Sequence, residues 1–258
     1  MAGVSTIALL ERKTSISRDL FSRYWRDVHG IMAARIPGFD SYIQHHVMPL
    51  SEAGSTNPEP FEGIAVVTYT SEANRQGLIE SEITPHIHRD EQNVFRRALL
   101  YNLGEGARRD LIEPGGAGGT PFFLTIPEGQ SYETAAANLR GAGAAAIRLH
   151  DLAGADPGGW NDSDVDDGGT GRRFVAVLEV VWARDDDPLA AIRAVIAASG
   201  GTIAAYRTAE RHVMVEHGRP TPLGFRGLDA LLTIEEAEAT NQLDPLVERA
   251  VFGWGNHS

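Results

Sequence analysis

The sequence predicts an α+β fold, two β-α-β-β-α-β repeats packed sheet to sheet within one chain as a pseudo-dimeric α/β barrel. Apolar residues alternate between the two-residue period of strands and the 3.6-residue period of helices, in that order, over the first hundred residues. After a run rich in Gly, Pro and charge, the same order begins again. A unit of this kind covers one face of its sheet with helices and leaves the other bare, so a second unit in the same chain supplies the missing cover.

Residues 4–11 are apolar enough for a central strand. Ser17 has the chemistry of a helix N-cap, Asp19 suits the positive end of the helix dipole, and Pro37-Gly38 closes the helix about five turns later. Leu20, Phe21, Tyr24, Trp25, Val28 and Met32 form its apolar stripe, with His29 at the buried edge. The next strand alternates. Phe39, Ser41, Ile43, His45 and Val47 are expected under the helices, and Tyr42, Gln44 and His46 on the face turned toward the partner sheet. Residues 61–69 give the third strand, with Gly63 as a candidate bulge. Residues 71–81 give a helical stretch, and 97–103 give the fourth strand.

The expected division is a ferredoxin-like repeat over 1–104, a linker over 105–120 and a second, degenerate repeat with a C-terminal extension over 121–258. In the second part PFFLTI, AAIRLHDL, FVAVLEVVWA and TIAAYRTAERHVMV supply strands, and SYETAAANLRGAG and DPLAAIRAVIAAS supply helices. The Gly- and Asp-rich stretch between residues 153 and 171 is expected as a surface loop. The last segment is expected to add one strand and one or two helices, with residues 235–241 helical.

Composition excludes several classes. The net charge of −12 speaks against nucleic acid and anionic membrane surfaces, which select for clustered Lys and Arg. No segment approaches the ~20 apolar residues of a membrane span, and the first residues lack the basic start of a signal peptide, so a cytoplasmic protein is expected. With no cysteine there is neither a disulfide framework nor a thiolate nucleophile. His86-x-His88 with Asp90 has metal-like spacing only if extended, and the Asp162, Asp164, Asp166, Asp167 run lacks the glycine and terminal glutamate of a calcium loop; no metal is expected. GGAGG follows no strand and opens no helix, so it is a linker, and no serine has a nucleophile-elbow setting.

The runs L-x-R-K, F-x-x-Y-W-x-x-V-H-G, P-G-F, Y-I-Q-H-H-V, F-E-G-I-A and D-E-x-x-F stand in order within the first hundred residues. In this the chain resembles the EthD family of the dimeric α/β-barrel superfamily, in which many members carry Pro where Ile31 stands and an acidic residue where Val66 stands. The resemblance implies a cofactor-independent lyase or isomerase (dehydratase, decarboxylase, cyclase or lactone isomerase) acting on a small, hydrophobic, oxygenated metabolite. His29 and His46 would be the general acid and base, Trp25, Tyr42, Tyr69 and His88 would contact the substrate, and Gln44 would donate to a developing oxyanion. Spacing alone reads His29 as a core-edge histidine satisfied by a carbonyl. The resemblance also admits a cofactor-free or haem-dependent monooxygenase on a phenol, and a non-catalytic binding or assembly protein. A homodimer of pseudo-dimeric chains is a further expectation.

Overall fold

The computed structural model describes residues 4–56, 58–115, 119–155, 165–169, 174–183 and 188–247. Strand β1 (Ser5–Arg12) is followed by a helix in three parts: α1 (Arg18–Tyr24), a π-helical turn (Trp25–His29) and α2 (Gly30–Ala33). Ser17 caps it, its hydroxyl accepting from the Leu20 amide at 3.1 Å. Then come β2 (Phe39–Pro49), β3 (Gly63–Tyr69), α3 (Glu72–Gln76), α4 (Thr84–Val94) and β4 (Phe95–Leu103). After β5 (Arg108–Ile112), the second repeat runs β6 (Phe122–Pro127), α5 (Tyr132–Gly141), β7 (Ala146–Asp151), β8 (Phe174–Val181), α6 (Leu189–Ala198) and β9 (Ala204–Glu216). A short β10 (Arg219–Pro220), α7 (Pro222–Arg226) and α8 (Leu228–Glu236) complete the described elements.

The strands form one curled antiparallel sheet in the order β4-β1-β3-β2-β9-β6-β8-β7-β5, with β10 beside β9. Each repeat therefore places its fourth, first, third and second strands side by side, which is the expected ferredoxin-like order twice over. The repeats meet where β2 pairs with β9, so the two sheets are joined edge to edge as well as face to face. β5 falls in the stretch expected to be linker. Its charged sequence hides a strand because it is an edge, and its Asp110 pairs with Arg148 of β7 at 2.7 Å. No strand occurs among the described residues 225–247. Of the expected helical stretch, Glu235 and Glu236 end α8, and a 3₁₀ turn over Thr240–Leu243 comes after it. Asp162 and Asp164 lie outside the described residues.

The faces of β2 are the reverse of the expectation. Tyr42, Gln44 and His46 turn toward the helix: Gln44 Nε2 donates to the Trp25 carbonyl at 2.9 Å, and His46 Nδ1 meets Ser22 Oγ at 2.7 Å. His45 and Val47 turn inward, His45 against Phe123 of the second repeat at 4.8 Å between ring centres. Phe39 reaches the helix side because pairing slips between Phe39 and Ser41. A sheet face differs from its reverse by one residue of parity, and both faces of this strand are buried, so alternation alone has no polar side to orient it.

The inner face is a core. Ile7, Leu9, Ile64 and Val66 of the first repeat share one buried cluster with Phe123, Val177 and Tyr206 of the second. Each such side chain contributes roughly 1.5–3 kcal/mol by burial, so the contact between the repeats is a stabilising seam and not the reaction chamber expected there. No described helix is long and apolar enough to cross a membrane.

Candidate active site

The π-helical turn positions the site. Inserting one residue rotates the next turn of the helix, which moves Val28 out of its expected place in the stripe to 41% exposure while His29 stays 6% exposed. The Trp25 carbonyl accepts from both the Gly30 amide and the Gln44 side chain. A Cβ on Gly30 would stand 2.4 Å from Gln44 Nε2, so the glycine after His29 is what lets a strand side chain reach the helix backbone. Gly63 has a similar reason. Its pairing is regular rather than bulged, and a Cβ there would press on the Trp25 indole at 2.8 Å.

Between this helix, α4 and the outer face of the first repeat's strands lies a cavity of ≈ 770 Å³ including its mouth. That is room for a small-molecule ligand. Ala8, Ala65 and Ala98 form its floor, Trp25, Phe39, Phe95, Tyr42 and Tyr69 its aromatic walls, and Val165 and Asp167 reach it from the second repeat. Burial pushes both phenols, Tyr42 and Tyr69, up to about 12, so they are neutral hydroxyls at physiological pH.

His29 is the imidazole of the cavity. Its Nδ1 lies 3.0 Å from Asp90 Oδ2 of α4, and its ring meets Phe95 edge to face at 5.2 Å. Asp90 also accepts from the Tyr24 hydroxyl at 2.5 Å and from Asn93 Nδ2 at 3.2 Å. Burial alone would raise the Asp90 carboxyl, but the hydrogen bonds from His29, Tyr24 and Asn93 outweigh it and hold the pKa below the usual range. An ionised acceptor at Nδ1 favours a proton on that nitrogen and orients the ring. Burial, then Asp90, raises the Tyr24 phenol, so Tyr24 supports the carboxylate as a neutral donor.

Of the residues singled out in the sequence, Trp25, His29, Tyr42 and Tyr69 line the cavity, and Gln44, His46 and His88 do not. His46 stacks on Trp25, 4.5 Å between ring centres. Burial first, and then the neighbouring His212 and Arg26, depress its pKa to about 2, which takes it out of acid–base work near neutral pH. Gln44 has no proton left for an oxyanion, because its two amide hydrogens go to the Trp25 carbonyl and the Tyr42 oxygen. His86 and His88 stand on helix α4, where residues two apart point in different directions. Asp90 and Tyr24 complete the His29 arrangement and are not among the residues expected to be catalytic or substrate-binding. Asp90 opens the D-E-x-x-F run, but its partner is 61 positions away, and only the packing of α4 on the π turn joins them.

The chain aligns with solved structures at low identity. An anthrone oxidase-like protein aligns with a TM-score of 0.47 at 12% identity, over 83% of this chain and 94% of that one. A protein provisionally described as a monooxygenase from Lactobacillus acidophilus aligns at 0.39 and 11%, over 83% and 92%. Another so described, from Fusobacterium nucleatum, aligns at 0.43 and 9%, over 85% and 97%. No curated protein matches the sequence. The expected lyase or isomerase is corrected: the second imidazole of its acid–base pair, His46, is outside the cavity, and the proteins that align are themselves described as oxidising or oxygenating. The sequence model of the EthD domain matches residues 13–97, which span most of the N-terminal repeat.

Proposed function

We propose that the protein is a monooxygenase-type oxidoreductase that uses dioxygen to oxidise a small phenolic substrate, with His29 as the general base. The observation that carries the reading is the His29–Asp90 pair opening on an aromatic-walled cavity. A flat aromatic substrate suits walls of Trp25, Phe95, Tyr42 and Tyr69, and its hydroxyl is the polar group that an imidazole would recognise.

His29 Nε2 takes the phenolic proton, and the negative charge delocalises onto the para ring carbon. The apolar surroundings leave the anion poorly solvated and strongly reducing. It passes one electron to dioxygen and the radical pair joins as a C–O bond, giving a hydroperoxide. Loss of the ring C–H proton with cleavage of the O–O bond then yields a quinone and one water, so a phenol and O₂ balance against a quinone and H₂O. Asp90 stabilises the imidazolium formed in the first step and Tyr24 holds Asp90. The substrate itself supplies the electrons in this reading. One small-molecule partner is all it requires, and pairing into homodimers is compatible with it.

Oxygen uptake in an electrode with a panel of quinols, naphthols and anthrones tests this. Wild type is expected to consume one O₂ per substrate, and His29→Ala to lose about 10²–10⁴-fold in turnover, the usual contribution of a placed base. Equal uptake by the His29→Ala protein, or a Soret band in the purified wild type, overturns the reading.

A further inference from the structure

The seam between the repeats gathers a second set of reactive side chains, behind Trp25. His46 of β2 and Glu210 and His212 of β9 each offer one donor atom, and these atoms all lie within 4.8 Å of one another. Among the described residues it is the one group of three such side chains. Register brings them together. His46 pairs with Glu210 and Gln44 with His212, and residues two apart on β9 share a face.

The three are also partly arranged. The rings of His46 and His212 meet edge to face at 4.8 Å, and His212 Nε2 is 3.0 Å from Glu210 Oε2. Gln44 donates both its amide hydrogens elsewhere, so its Oε1 accepts from His46 Nε2 at 3.2 Å, while Ser22 Oγ meets Nδ1 at 2.7 Å. A cation replacing one of these partners would leave the other to orient the ring, the arrangement that metal-bound histidines ordinarily have. Arg26 is the competing charge, with Nη1 3.8 Å from Glu210, but it is already gripped by Asp27 at 2.6 and 2.9 Å.

We propose that His46, Glu210 and His212 bind a divalent transition-metal ion that ties the two repeats together across the β2–β9 seam. Two imidazoles and one carboxylate suit Zn²⁺, Co²⁺, Ni²⁺ or Fe²⁺ and disfavour Mg²⁺ and Ca²⁺, which select all-oxygen sets. Because Trp25 stacks on His46 and also walls the cavity, the ion stiffens that wall. The site does not depend on the oxygenase reading.

Titration of the full chain with Zn²⁺ against a competing chelator, and with Co²⁺ followed by visible absorption, tests it. One Zn²⁺ per chain is expected, with Co²⁺ bands of a four- or five-coordinate ion and a rise in Tm. His212→Ala is expected to weaken binding by more than the roughly 10–100-fold that loss of an outer partner costs, and to abolish the Co²⁺ bands and the Tm rise. Glu210→Gln is expected to weaken binding by a smaller factor. Glu210 is half exposed and His212 sits at its edge, and circular dichroism of the metal-free variants checks that the fold is kept. Absence of stoichiometric Zn²⁺ binding in wild type overturns the proposal. So does wild-type affinity in His212→Ala, which would place the ion on His86, His88 or His217.

Discussion

The two repeats share a topology and differ in what lies between helix and sheet. In the first, the small residues Ala8, Ala65 and Ala98 are on the strands, and the large ones, Phe21 and Trp25, are on the helix. In the second, Ala135 and Ala136 of α5 lie against Leu124, Ile126, Leu178 and Val180 of the strands, and Leu139 of α5 with Ile192, Val195 and Ile196 of α6 fill the rest of the layer. Small residues on a helix let it settle onto a bulky sheet, and the layer packs as one apolar cluster. Large aromatics on the helix hold it off a sheet of alanines, and the space between them is the cavity. The same strand order thus gives a filled layer in one half and a cavity in the other.

The strongest way to break this contrast is at the imidazole of the cavity layer. His29→Ala is expected to remove about 10²–10⁴-fold of turnover, and Asp90→Asn to remove a smaller part, with circular dichroism unchanged in both. No substitution in the α5–α6 layer should lower turnover at constant fold, and one that did would give the second repeat a chemical role.

A second contrast is between the cavity layer and the inner seam. Burial would raise the Glu179 carboxyl, but the hydrogen bond from His150, 3.4 Å away, and the charge of Arg148 hold it down to about 2. Its folded pKa lies below its unfolded one, so its contribution is complete above about pH 4.5 and is lost as pH falls toward 2. This is roughly 3 kcal/mol, measured by urea unfolding across that window, and Glu179→Gln should flatten the slope there. Burial lowers the pKa of His150, and that too costs stability on acidification, starting below its ordinary 6.5.

Overpacking separates the two layers directly. Ala136→Leu in the filled layer is expected to cost about 1–3 kcal/mol. Ala65→Leu, on the cavity floor, has room for its side chain and should cost less while weakening ligand binding, read by denaturant midpoints and by ligand titration. Equal costs would show that the cavity closes on itself. The smallest effect tests the π turn. Val28→Ala should stay within about 0.5 kcal/mol, while Phe21→Ala, from the same predicted stripe but buried, should cost about 3–5 kcal/mol.

Much of this was legible in the chain. The Ser17 cap, the helix through His29 and the order of strands in both repeats all follow from periodicity and spacing. The misreadings have specific physical causes. The facing of β2 failed because both its faces are buried. β5 escaped because an edge strand carries charge where a central one carries Val or Ile. His46 was paired with His29 because they are near in sequence, whereas Trp25 stacks on His46 and itself lines the cavity.

The sequence by itself determined the elements, their order and the duplication, because local propensity and alternation act over a few residues and are written into each segment. Only the tertiary structure decided which face of β2 meets the helix, that Asp90 of α4 is the partner of His29, and that His46 meets Glu210 and His212 across the seam. The last two of these join residues 61 to more than 160 positions apart. They are fixed by the sum of packing over the whole sheet, which no short window of sequence contains.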